Sequence, residues 1–308
     1  MIDLEGRRIM LVGGAGFIGR HLARAFLGCG CDVSILDIDT PPDDLVSACA
    51  FHQRDVRDRA ALRDIFDREA DSVYLLVSHL GKKCEENRND AWSTNVAGFA
   101  NTIDELASLP VSPRLTLLSS SMVYASSNVE FPLTETARTL GEAMYDQTKL
   151  AQESILRAHC RARDAAAVIF RPFSIYGPDG MSPEKGHFIG TWLARARSGA
   201  PLVVHGDGEQ TIDLVHVDDV VRACVLSEQH DIDRGSVDVF NLGSGLESRV
   251  RDIAGWIVDA IPSTRLEYGP DSTAVIPRRW ASVEKAREQL GYQPMIVPEA
   301  GVRELCSQ

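Results

Sequence analysis

The chain has 308 residues, of which 44% belong to the hydrophobic set and 25% are charged. These ordinary globular values predict one large α/β unit or two packed units, and they exclude an extensively disordered or fibrous chain. The net charge of −12 argues against a nucleic-acid partner, because an acidic protein does not neutralise phosphates. The longest apolar runs, such as Val73–Val77, are far shorter than the roughly 18 residues of a membrane span, so we expect no membrane contact.

The cysteines and histidines show no spacing that is typical of metal sites. Seven cysteines are present without a CxxC pair, and the eight histidines form neither HxxxH nor HExxH. The polar segment Met1–Arg8 does not resemble a secretory leader. We therefore expect free thiols in a reducing, cytoplasmic environment and no metal ion.

The first half of the chain alternates strand-like and helix-like stretches. The predicted strands are Ile9–Val12, Asp32–Leu36, Val73–Val77, Leu115–Leu118 and Val168–Phe170. The predicted helices are a stretch with Ile18, Leu22, Ala25 and Phe26 on one face, then Ala60–Arg68, Ala91–Leu109 and Met144–Arg163. Strands separated by helices imply right-handed crossovers, so the pattern predicts a Rossmann-type, doubly wound parallel sheet.

The alternation breaks after Pro172, where Tyr176–Glu184 has the composition of a loop. The later predicted elements are helices Phe188–Ser198, Arg251–Ile261 and Val283–Leu290, and strands Leu202–His205, Val215–Val217 and Val239–Leu242. We expect the last two strands to re-enter the main sheet. This predicts a dinucleotide-binding domain of residues 1–176 and 214–246, and a smaller α/β substrate-binding domain of residues 177–213 and 247–308. Ligands should bind in a cleft at the carboxyl ends of the parallel strands.

A glycine-rich turn follows the first predicted strand and opens the first helix. Gly13, Gly16 and Gly19 form a GxxGxxG pattern that also contains Phe17 and Ile18. Glycines permit a tight turn and a close approach of a pyrophosphate to the helix N-terminus, whose free N–H groups favour anions. Asp37 ends the second strand, 18 residues after Gly19 and without a following Arg. A carboxylate there accepts ribose hydroxyls and repels a 2′-phosphate, which predicts NAD rather than NADP.

Tyr145 and Lys149 lie four residues apart near the start of the second long helix, so they share a face. Tyrosine has a pKa near 10, but an adjacent ammonium and an oxidised nicotinamide favour the phenolate. The pair then serves as a proton acceptor beside a hydride acceptor. Three serines, Ser119–Ser121, end the fourth strand at the edge where ligands should bind.

The order of these motifs resembles the extended short-chain dehydrogenases/reductases of the NAD-dependent epimerase/dehydratase family, in particular UDP-galactose 4-epimerases. The resemblance continues through Asp55–Val56, Thr94–Gly98, Ser119–Tyr124, Arg171–Pro178, Gly206–Gly208, His216–Asp219 and Asn241–Gly245. It implies a cytoplasmic NAD-dependent enzyme that acts on a small molecule, and the substrate class that the resemblance implies is a nucleotide sugar. It also implies a homodimer formed by the two long helices around a two-fold axis.

The resemblance assigns roles to individual positions. Ser120, Tyr145 and Lys149 match the catalytic residues, and Tyr145 and Lys149 would also contact the cofactor. Besides the glycine turn and Asp37, the cofactor contacts would include Asp55, Val56 and Asn95. Ser121, Ser174 and His187 would face the substrate; His187 lies in a stretch, Gly186–Gly190, that resembles the His segment of GDP-fucose synthases.

Three departures from the family pattern bear on the reaction. Dehydratases carry an Asp-Glu pair where Ser121 and Met122 stand, and decarboxylases carry Glu in place of Met122, so neither reaction is favoured. Ile212 occupies the position of an Arg that holds the substrate diphosphate, and a second Arg has no counterpart near Asp271–Ala274. Arg249, Arg278 or Arg279 are candidates to replace this cation.

Three hypotheses remain open from the sequence. The first is a sugar epimerase that oxidises a carbinol, lets the keto intermediate rotate and returns the hydride to its other face. The second is a net NAD(H)-dependent oxidoreductase on a keto-sugar or other secondary metabolite, with His187 as a substrate contact or acid. The third is a non-catalytic NAD-binding regulator, which the intact Ser–Tyr–Lys set disfavours.

Overall fold

The computed structural model describes residues 4–66, 70–180, 187–270 and 278–308. Parts of the predicted helix Ala60–Arg68 and of the predicted loop Tyr176–Glu184, as well as Gly186 and Asp271–Ala274, lie outside these residues. The chain divides into two compact units. The first unit comprises Met1–Val123, Thr139–Arg171 and Val221–Phe240, and the second comprises Tyr124–Arg138, Pro172–Val220 and Asn241–Gln308.

Strands and helices alternate through the first half of the chain and become shorter after it. The strands are β1 (Arg8–Val12), β2 (Asp32–Asp37), β3 (Ala50–Gln53), β4 (Ser72–Leu75), β5 (Arg114–Leu118), β6 (Ala167–Pro172), β7 (Ser174–Tyr176), β8 (Leu202–His205), β9 (Thr211–Ile212), β10 (Leu214–His216), β11 (Val237–Leu242), β12 (Ser248–Arg249) and β13 (Leu266–Gly269). The helices are α1 (Phe17–Gly28), α2 (Asp43–Ala48), α3 (Arg59–Leu62), α4 (Gly81–Glu86), α5 (Arg88–Trp92), α6 (Phe99–Ala107), α7 (Met144–Arg163), α8 (Phe188–Arg197), α9 (Val217–Ser227), α10 (Val250–Ala260), α11 (Glu284–Leu290) and α12 (Pro298–Ser307).

A seven-stranded sheet confirms the predicted Rossmann-type fold. Its strand order is β11-β6-β5-β4-β1-β2-β3, and β1 pairs in parallel with both β2 and β4. The register places Val12 opposite Leu36 on one side and Leu75 on the other. The ends of these strands therefore meet at one edge of the sheet, which is where ligands bind in doubly wound folds.

Apolar strands without alternation are buried on both faces, as parallel sheets require. All residues of β4 and of β6 are buried. Helix α1 covers the sheet with Gly19, Leu22, Ala23 and Phe26; Ala23 replaces the predicted Ala25 on this buried face. Helix α7 has the predicted bounds, whereas α3 ends at Leu62 and is shorter than predicted among the described residues.

The predicted single helix Ala91–Leu109 is wrong in detail. The chain forms α5, then a π-helical turn over Ser93–Gly98, then α6. The Asn87 side chain caps α5 by accepting a hydrogen bond from the Asp90 N–H at 3.2 Å, which starts the helix earlier than expected. A π turn accommodates an extra residue without ending the helix, so the apolar periodicity alone does not reveal it.

The second unit contains three two-stranded sheets, β10–β7, β12–β9 and β13–β8. The prediction that Val215–Val217 re-enters the main sheet is therefore wrong, because β10 pairs with β7, whereas β11 does join the main sheet. The core of this unit is formed by apolar residues from its strands and from α8, α10 and α12. In the described part of the chain, no helix combines the length and the apolar character that crossing a membrane requires.

Candidate active site

The glycine-rich turn between β1 and α1 forms a cradle that side chains would fill. Gly13 has φ +91°, and a Cβ at this position would lie 2.7 Å from the Val77 backbone nitrogen. A Cβ on Gly19 would lie 2.6 Å from the Gly14 Cα. The N-cap residue Gly16 provides no side-chain cap, and the first turn of α1 contains no acidic residue. The N–H groups of Phe17 and Ile18 at this helix start are the kind that bind phosphate groups.

Asp37 is attached to the same turn. Its Oδ2 accepts a hydrogen bond from the Ala15 N–H at 2.9 Å, and its Oδ1 accepts one from the Asp39 N–H at 3.1 Å. Burial raises the pKa of Asp37, and these backbone hydrogen bonds oppose the rise. An acceptor group thus lies next to the phosphate cradle, as NAD binding through a ribose hydroxyl requires. Together, the cradle and this carboxyl fit a dinucleotide.

Asp55 forms an ion pair within its own segment. Its carboxylate contacts Arg57 at 2.6 Å, and Arg57 also contacts Asp90 at 2.9 Å. The hydrogen bond with Arg57 lowers the pKa of Asp55. The neighbouring Val56 is buried and packs closely on the π turn, since a Cβ on Gly98 would lie 2.6 Å from Val56 Cγ2. The contacts of Asp55 and Val56 with the cofactor, which the resemblance implies, stay predictions.

Asn95 lies in the π turn and uses its side chain for contacts within the protein. Its Oδ1 accepts from the His79 N–H at 2.7 Å, and its Nδ2 donates to the His79 carbonyl at 3.0 Å and to Thr148 Oγ1 at 3.0 Å. Its own carbonyl accepts from Gln152 at 2.7 Å. Asn95 therefore ties the segment after β4 to α7, and its predicted contact with the cofactor is untested.

The predicted catalytic residues lie together at the end of β5 and the start of α7. The Ser120 side chain adjoins Tyr145, and Ser120 Oγ accepts a hydrogen bond from the Met122 N–H at 3.1 Å. Lys149 donates from Nζ to the Leu118 carbonyl at 2.8 Å, and the same Nζ lies 5.9 Å from the centre of the Tyr145 ring. A proton acceptor, a second hydroxyl and an ammonium thus lie close together.

Burial acts on both ionisable members of this group. It raises the pKa of Tyr145, a rise that the hydrogen bond from Ser120 opposes. It lowers the pKa of Lys149 to about 8, and the nearby Cys84 and Glu153 oppose this fall. Formation of the Tyr145 phenolate therefore depends on added positive charge close to the ring, which the oxidised nicotinamide of NAD carries.

Ser121 and Met122 follow Ser120 in a short 3₁₀ turn over Ser121–Val123. Ser121 is buried, and neither residue carries a carboxylate. The positions to which the resemblance assigns the acid–base residues of dehydratases and decarboxylases therefore hold a hydroxyl and a thioether, neither of which moves a proton efficiently at neutral pH.

Two predicted substrate contacts belong to the second unit. Ser174 begins β7, and its N–H donates to the Asp213 carbonyl at 3.0 Å. His187 is the N-cap residue of α8 and stacks on Phe188 with 5.3 Å between ring centroids. Burial lowers the pKa of His187 to about 4, so the ring is neutral at physiological pH. It can accept or donate a hydrogen bond, but it is not a protonated acid.

The three candidate arginines surround the strand that contains Ile212. Across the antiparallel pair β9–β12, Arg249 lies opposite Thr211, and Arg278 bridges to Thr211 from the other side. Arg279 donates its N–H to the Thr211 carbonyl at 3.1 Å. All three are backbone neighbours of Thr211, so cations cluster where the family Arg is missing.

The arginine side chains have different partners. Arg278 contacts Glu247 Oε2 at 2.9 Å, and its guanidinium lies 5.3 Å from the Phe131 ring and 5.8 Å from the Trp280 ring. Arg249 lies 3.6 Å from Glu209. Arg279 is buried and points to the Tyr124 carbonyl at 3.5 Å. The solvent-accessible, ring-supported guanidinium is that of Arg278.

Sequence reasoning missed one group beside the catalytic residues. Glu153 and Arg171 are both buried and form an ion pair at 2.7 Å, and Ser119 donates to the same carboxylate at 2.7 Å. The signal was present, because Glu153 follows Lys149 by one more helical turn. A carboxylate on that buried helix face needs a cationic or hydrogen-bonding partner. Arg171, at the end of the predicted strand that follows α7, was an available cation.

The chain is similar in sequence to known enzymes. The sequence pattern of the NAD-dependent epimerase/dehydratase family matches residues 9–243. The chain is 28% identical to UDP-glucuronic acid decarboxylase 1 of Arabidopsis thaliana over 97% of this chain and 69% of that protein. It is 28% identical to UDP-glucose 4-epimerase of Lacticaseibacillus casei over 93% of this chain and 91% of that protein.

The fold is shared with solved structures. The UDP-glucose 4-epimerase of Thermotoga maritima, crystallised with UDP-glucose, superimposes with a TM-score of 0.89 at 23% identity, over 97% of each chain. The family match covers most of the sequence and spans the glycine turn, Asp37 and the Ser120–Tyr145–Lys149 group. The predicted enzyme class and NAD cofactor are thereby confirmed, and the chain belongs to the NAD-dependent epimerase/dehydratase family.

Proposed function

We propose that this enzyme epimerises a nucleotide sugar by transient oxidation of a ring carbinol. The observation that carries the proposal is the grouping of Ser120, Tyr145 and Lys149, in which Lys149 lies one helical turn beyond Tyr145 and is fixed by the Leu118 carbonyl. A bound NAD would supply the hydride acceptor and donor for this oxidation. The residues of the glycine turn and Asp37 would hold this cofactor, and Asp37 would select it over NADP.

The protein groups move and hold protons. Tyr145 accepts the proton of the substrate hydroxyl at its phenolate oxygen. It returns this proton after the keto intermediate has rotated in the site. Ser120 donates a hydrogen bond to the same substrate oxygen while it has carbonyl character. The Lys149 ammonium, fixed by the Leu118 carbonyl, stabilises the phenolate against the effect of burial.

The residues after Ser120 favour epimerisation over elimination and decarboxylation. Both reactions of the related enzymes use a carboxylate at the positions of Ser121 or Met122, and this chain has none there. We therefore attribute the similarity to UDP-glucuronic acid decarboxylases to a common fold and cofactor site and not to a shared reaction. Ser121 remains a candidate substrate contact because its side chain adjoins Ser120.

Nucleotide recognition would involve the arginines around Ile212. Both relatives named above act, by their names, on UDP sugars. A diphosphate carries charge that a guanidinium binds through two parallel hydrogen bonds. Arg278 presents a half-exposed guanidinium close to two aromatic rings, so we assign the diphosphate contact first to Arg278. The neutral ring of His187 and the Ser174 hydroxyl would contact the sugar.

Helices α6 and α7 pack on each other within the unit, and α7 leaves Gln147, Ser154 and Ala158 exposed. We propose that this pair of helices forms the isologous interface of a homodimer in the cytoplasm. Light scattering at micromolar concentration should give the mass of two chains. A mass of one chain would contradict the proposed dimer.

The test of the proposed reaction is incubation with NAD and UDP-glucose, UDP-galactose or the corresponding uronic acids, followed by separation of the sugars. An epimerase interconverts two of these sugars without net formation of NADH. Accumulation of one NADH for each oxidised sugar would instead support the net oxidoreductase. The low pKa of His187 weakens that alternative, because it removes the imidazolium acid that the alternative invoked.

A further inference from the structure

Helix α7 presents a third functional side chain on the face that carries Tyr145 and Lys149. Glu153 lies one turn beyond Lys149, and its side chain is only 1% exposed. A buried carboxylate is stable only when its oxygens are hydrogen-bonded or paired with a cation. Its partners therefore show what it does.

The Glu153 carboxylate joins three elements of the first unit. Arg171 at the end of β6 donates to both oxygens, from Nε to Oε1 at 2.9 Å and from Nη2 to Oε2 at 2.7 Å. Ser119, the residue after β5, donates to Oε1 at 2.7 Å. Arg157, one turn further along α7, donates to Oε2 at 3.0 Å.

These contacts hold the end of β5 to α7 residue by residue. The Leu118 carbonyl accepts a hydrogen bond from Lys149, and the Ser119 hydroxyl donates one to Glu153. The Ser120 side chain adjoins Tyr145. The Ser119 N–H also pairs with the Phe170 carbonyl on β6 at 2.8 Å. Three consecutive residues thus contact three successive turns of one helix. Loss of the middle contact would free the segment that positions Ser120.

The charge of the same carboxylate also affects the pKa of Lys149. Burial raises the pKa of Glu153, but the hydrogen bond and the charge of Arg171 lower it by more than this rise. Ser119 and Arg157 lower the pKa as well, so Glu153 is ionised. Burial lowers the pKa of Lys149, whereas Cys84 and Glu153 raise it. Cys84 has a pKa raised by burial and is a neutral thiol at physiological pH. Glu153, one turn from Lys149 on the same buried helix face, is therefore an ionised group that raises the pKa of the Lys149 ammonium.

We propose that Glu153, clamped by Arg171, is a positioning residue that holds Ser120 against Tyr145 and supplies the fixed negative charge that Lys149 needs. This role rests on the proposed function of Ser120, Tyr145 and Lys149 in proton transfer. It adds a residue that does not contact substrate or cofactor and acts through two residues that do.

The test compares Glu153→Gln and Ser119→Ala with wild type, using Glu228→Gln as the matched control. Glu228 is a second buried carboxylate of this unit, paired with Arg7 at 3.0 Å and hydrogen-bonded to Tyr74 and Ser72, so its neutralisation costs the fold in the same way. The first readout is NMR titration of isotope-labelled lysine side chains in the NAD-loaded protein. The chain has five lysines, and Lys149→Met assigns the signal of interest.

In Glu153→Gln the titration midpoint of Lys149 should fall by about one pH unit, as expected for loss of a close opposite charge. It should stay in place in Ser119→Ala and in Glu228→Gln. An unchanged midpoint in Glu153→Gln, or an equal fall in Glu228→Gln, would overturn the electrostatic role. If Glu153→Gln does not fold, the midpoint in Glu153→Asp should still move, because the shorter side chain withdraws the charge.

The second readout is the rate of NAD reduction on addition of a nucleotide sugar that wild type oxidises. Both variants should slow this half-reaction, by roughly tenfold to hundredfold for Glu153→Gln and less for Ser119→Ala, since small misplacements are costly at a reacting centre. The alkaline limb of the pH profile should move to lower pH only in Glu153→Gln. Rates within twofold of wild type in both variants would overturn the positioning role.

These outcomes separate the two proposals. The half-reaction is common to an epimerase and to a net oxidoreductase, so failure of epimerisation alone leaves the Glu153 result interpretable. The lysine titration needs no turnover at all. The role of Glu153 fails on that titration, whereas the proposed function fails on the products.

Discussion

The charged groups beside the catalytic residues are buried, whereas two of the three arginines around Ile212 in the second unit, Arg249 and Arg278, are half exposed. The side chains of Glu153 and Arg171 are 1% and 5% exposed, and that of Arg278 is 51% exposed. Buried pairs are costly to break and fix geometry, while exposed pairs contribute little stability and exchange partners easily. The first region is therefore suited to holding catalytic groups in a fixed geometry. The second is suited to binding a charged ligand, which can replace the Glu247 carboxylate as the partner of Arg278.

In the first region, the largest loss of activity is expected for Tyr145→Phe. It removes the proton acceptor but keeps the ring packed, so turnover should fall by about 10²–10⁴-fold or more with little change in melting temperature. Steady-state kinetics and thermal unfolding of the same preparation measure both. Activity within a factor of two of wild type would show that another base operates.

Ser120→Ala should have a smaller effect on the same reaction. It removes one hydrogen bond to the substrate oxygen, which corresponds to a loss of roughly 10–100-fold in kcat, at or below the cost of an oxyanion donor. Ser121→Ala is the matched control, because the neighbouring residue is also buried. A larger loss in Ser121→Ala would mean that Ser121 holds the catalytic position instead.

In the second region, Arg278→Ala should weaken binding of UDP to the NAD-loaded protein. A charge-assisted contact to phosphate contributes roughly 1.5–3 kcal/mol, so the dissociation constant should rise by about tenfold to hundredfold. Arg265→Ala provides the control, because Arg265 pairs with Glu267 at 2.7 Å on another exposed part of this unit.

Calorimetry with Arg249→Ala and Arg279→Ala would sharpen the comparison further. If one of these variants loses more affinity than Arg278→Ala, the diphosphate contact belongs to that residue. If UDP, GDP and dTDP all fail to bind the wild type below millimolar concentration, the nucleotide-sugar proposal is wrong and a free sugar or other metabolite takes its place.

The smallest expected effect is that of Asp37→Ala on cofactor choice. Loss of the acceptor should weaken NAD binding by about tenfold and leave NADP less disfavoured, since the repulsion of a 2′-phosphate disappears. Titration of wild type and variant with both cofactors measures the change in preference. Tighter binding of NADP than of NAD by the wild type would contradict the role of Asp37.

Sequence patterns predicted the first region well because its signals are local. The glycine turn, the buried strands β1 and β2 and the bounds of α7 all follow from short-range periodicity and turn chemistry. The i, i+4 spacing also placed Tyr145 and Lys149 on one face. Strand β3, Ala50–Gln53, was missed because its residues are partly exposed and only half apolar.

Contacts between residues that lie far apart in the chain could not be predicted from the sequence. The apolar triplet of β10 indicates a strand but does not say that its partner is β7 rather than the main sheet. Likewise, three arginines were candidates for the missing cation, but nothing in their spacing showed that Arg278 pairs with Glu247 and lies close to two aromatic rings. The fall in the pKa of His187 has the same origin, because burial depends on the tertiary structure.

The central claim is that hydride leaves the substrate and returns to the same carbon within one active site. The most direct measurement is turnover of a nucleotide sugar in deuterium oxide with catalytic NAD, followed by NMR of the inverted carbon. The account predicts an epimer that retains its original carbon-bound hydrogen and a solution free of accumulated NADH. Deuterium at the inverted carbon, or a keto product formed in step with NADH, would contradict it.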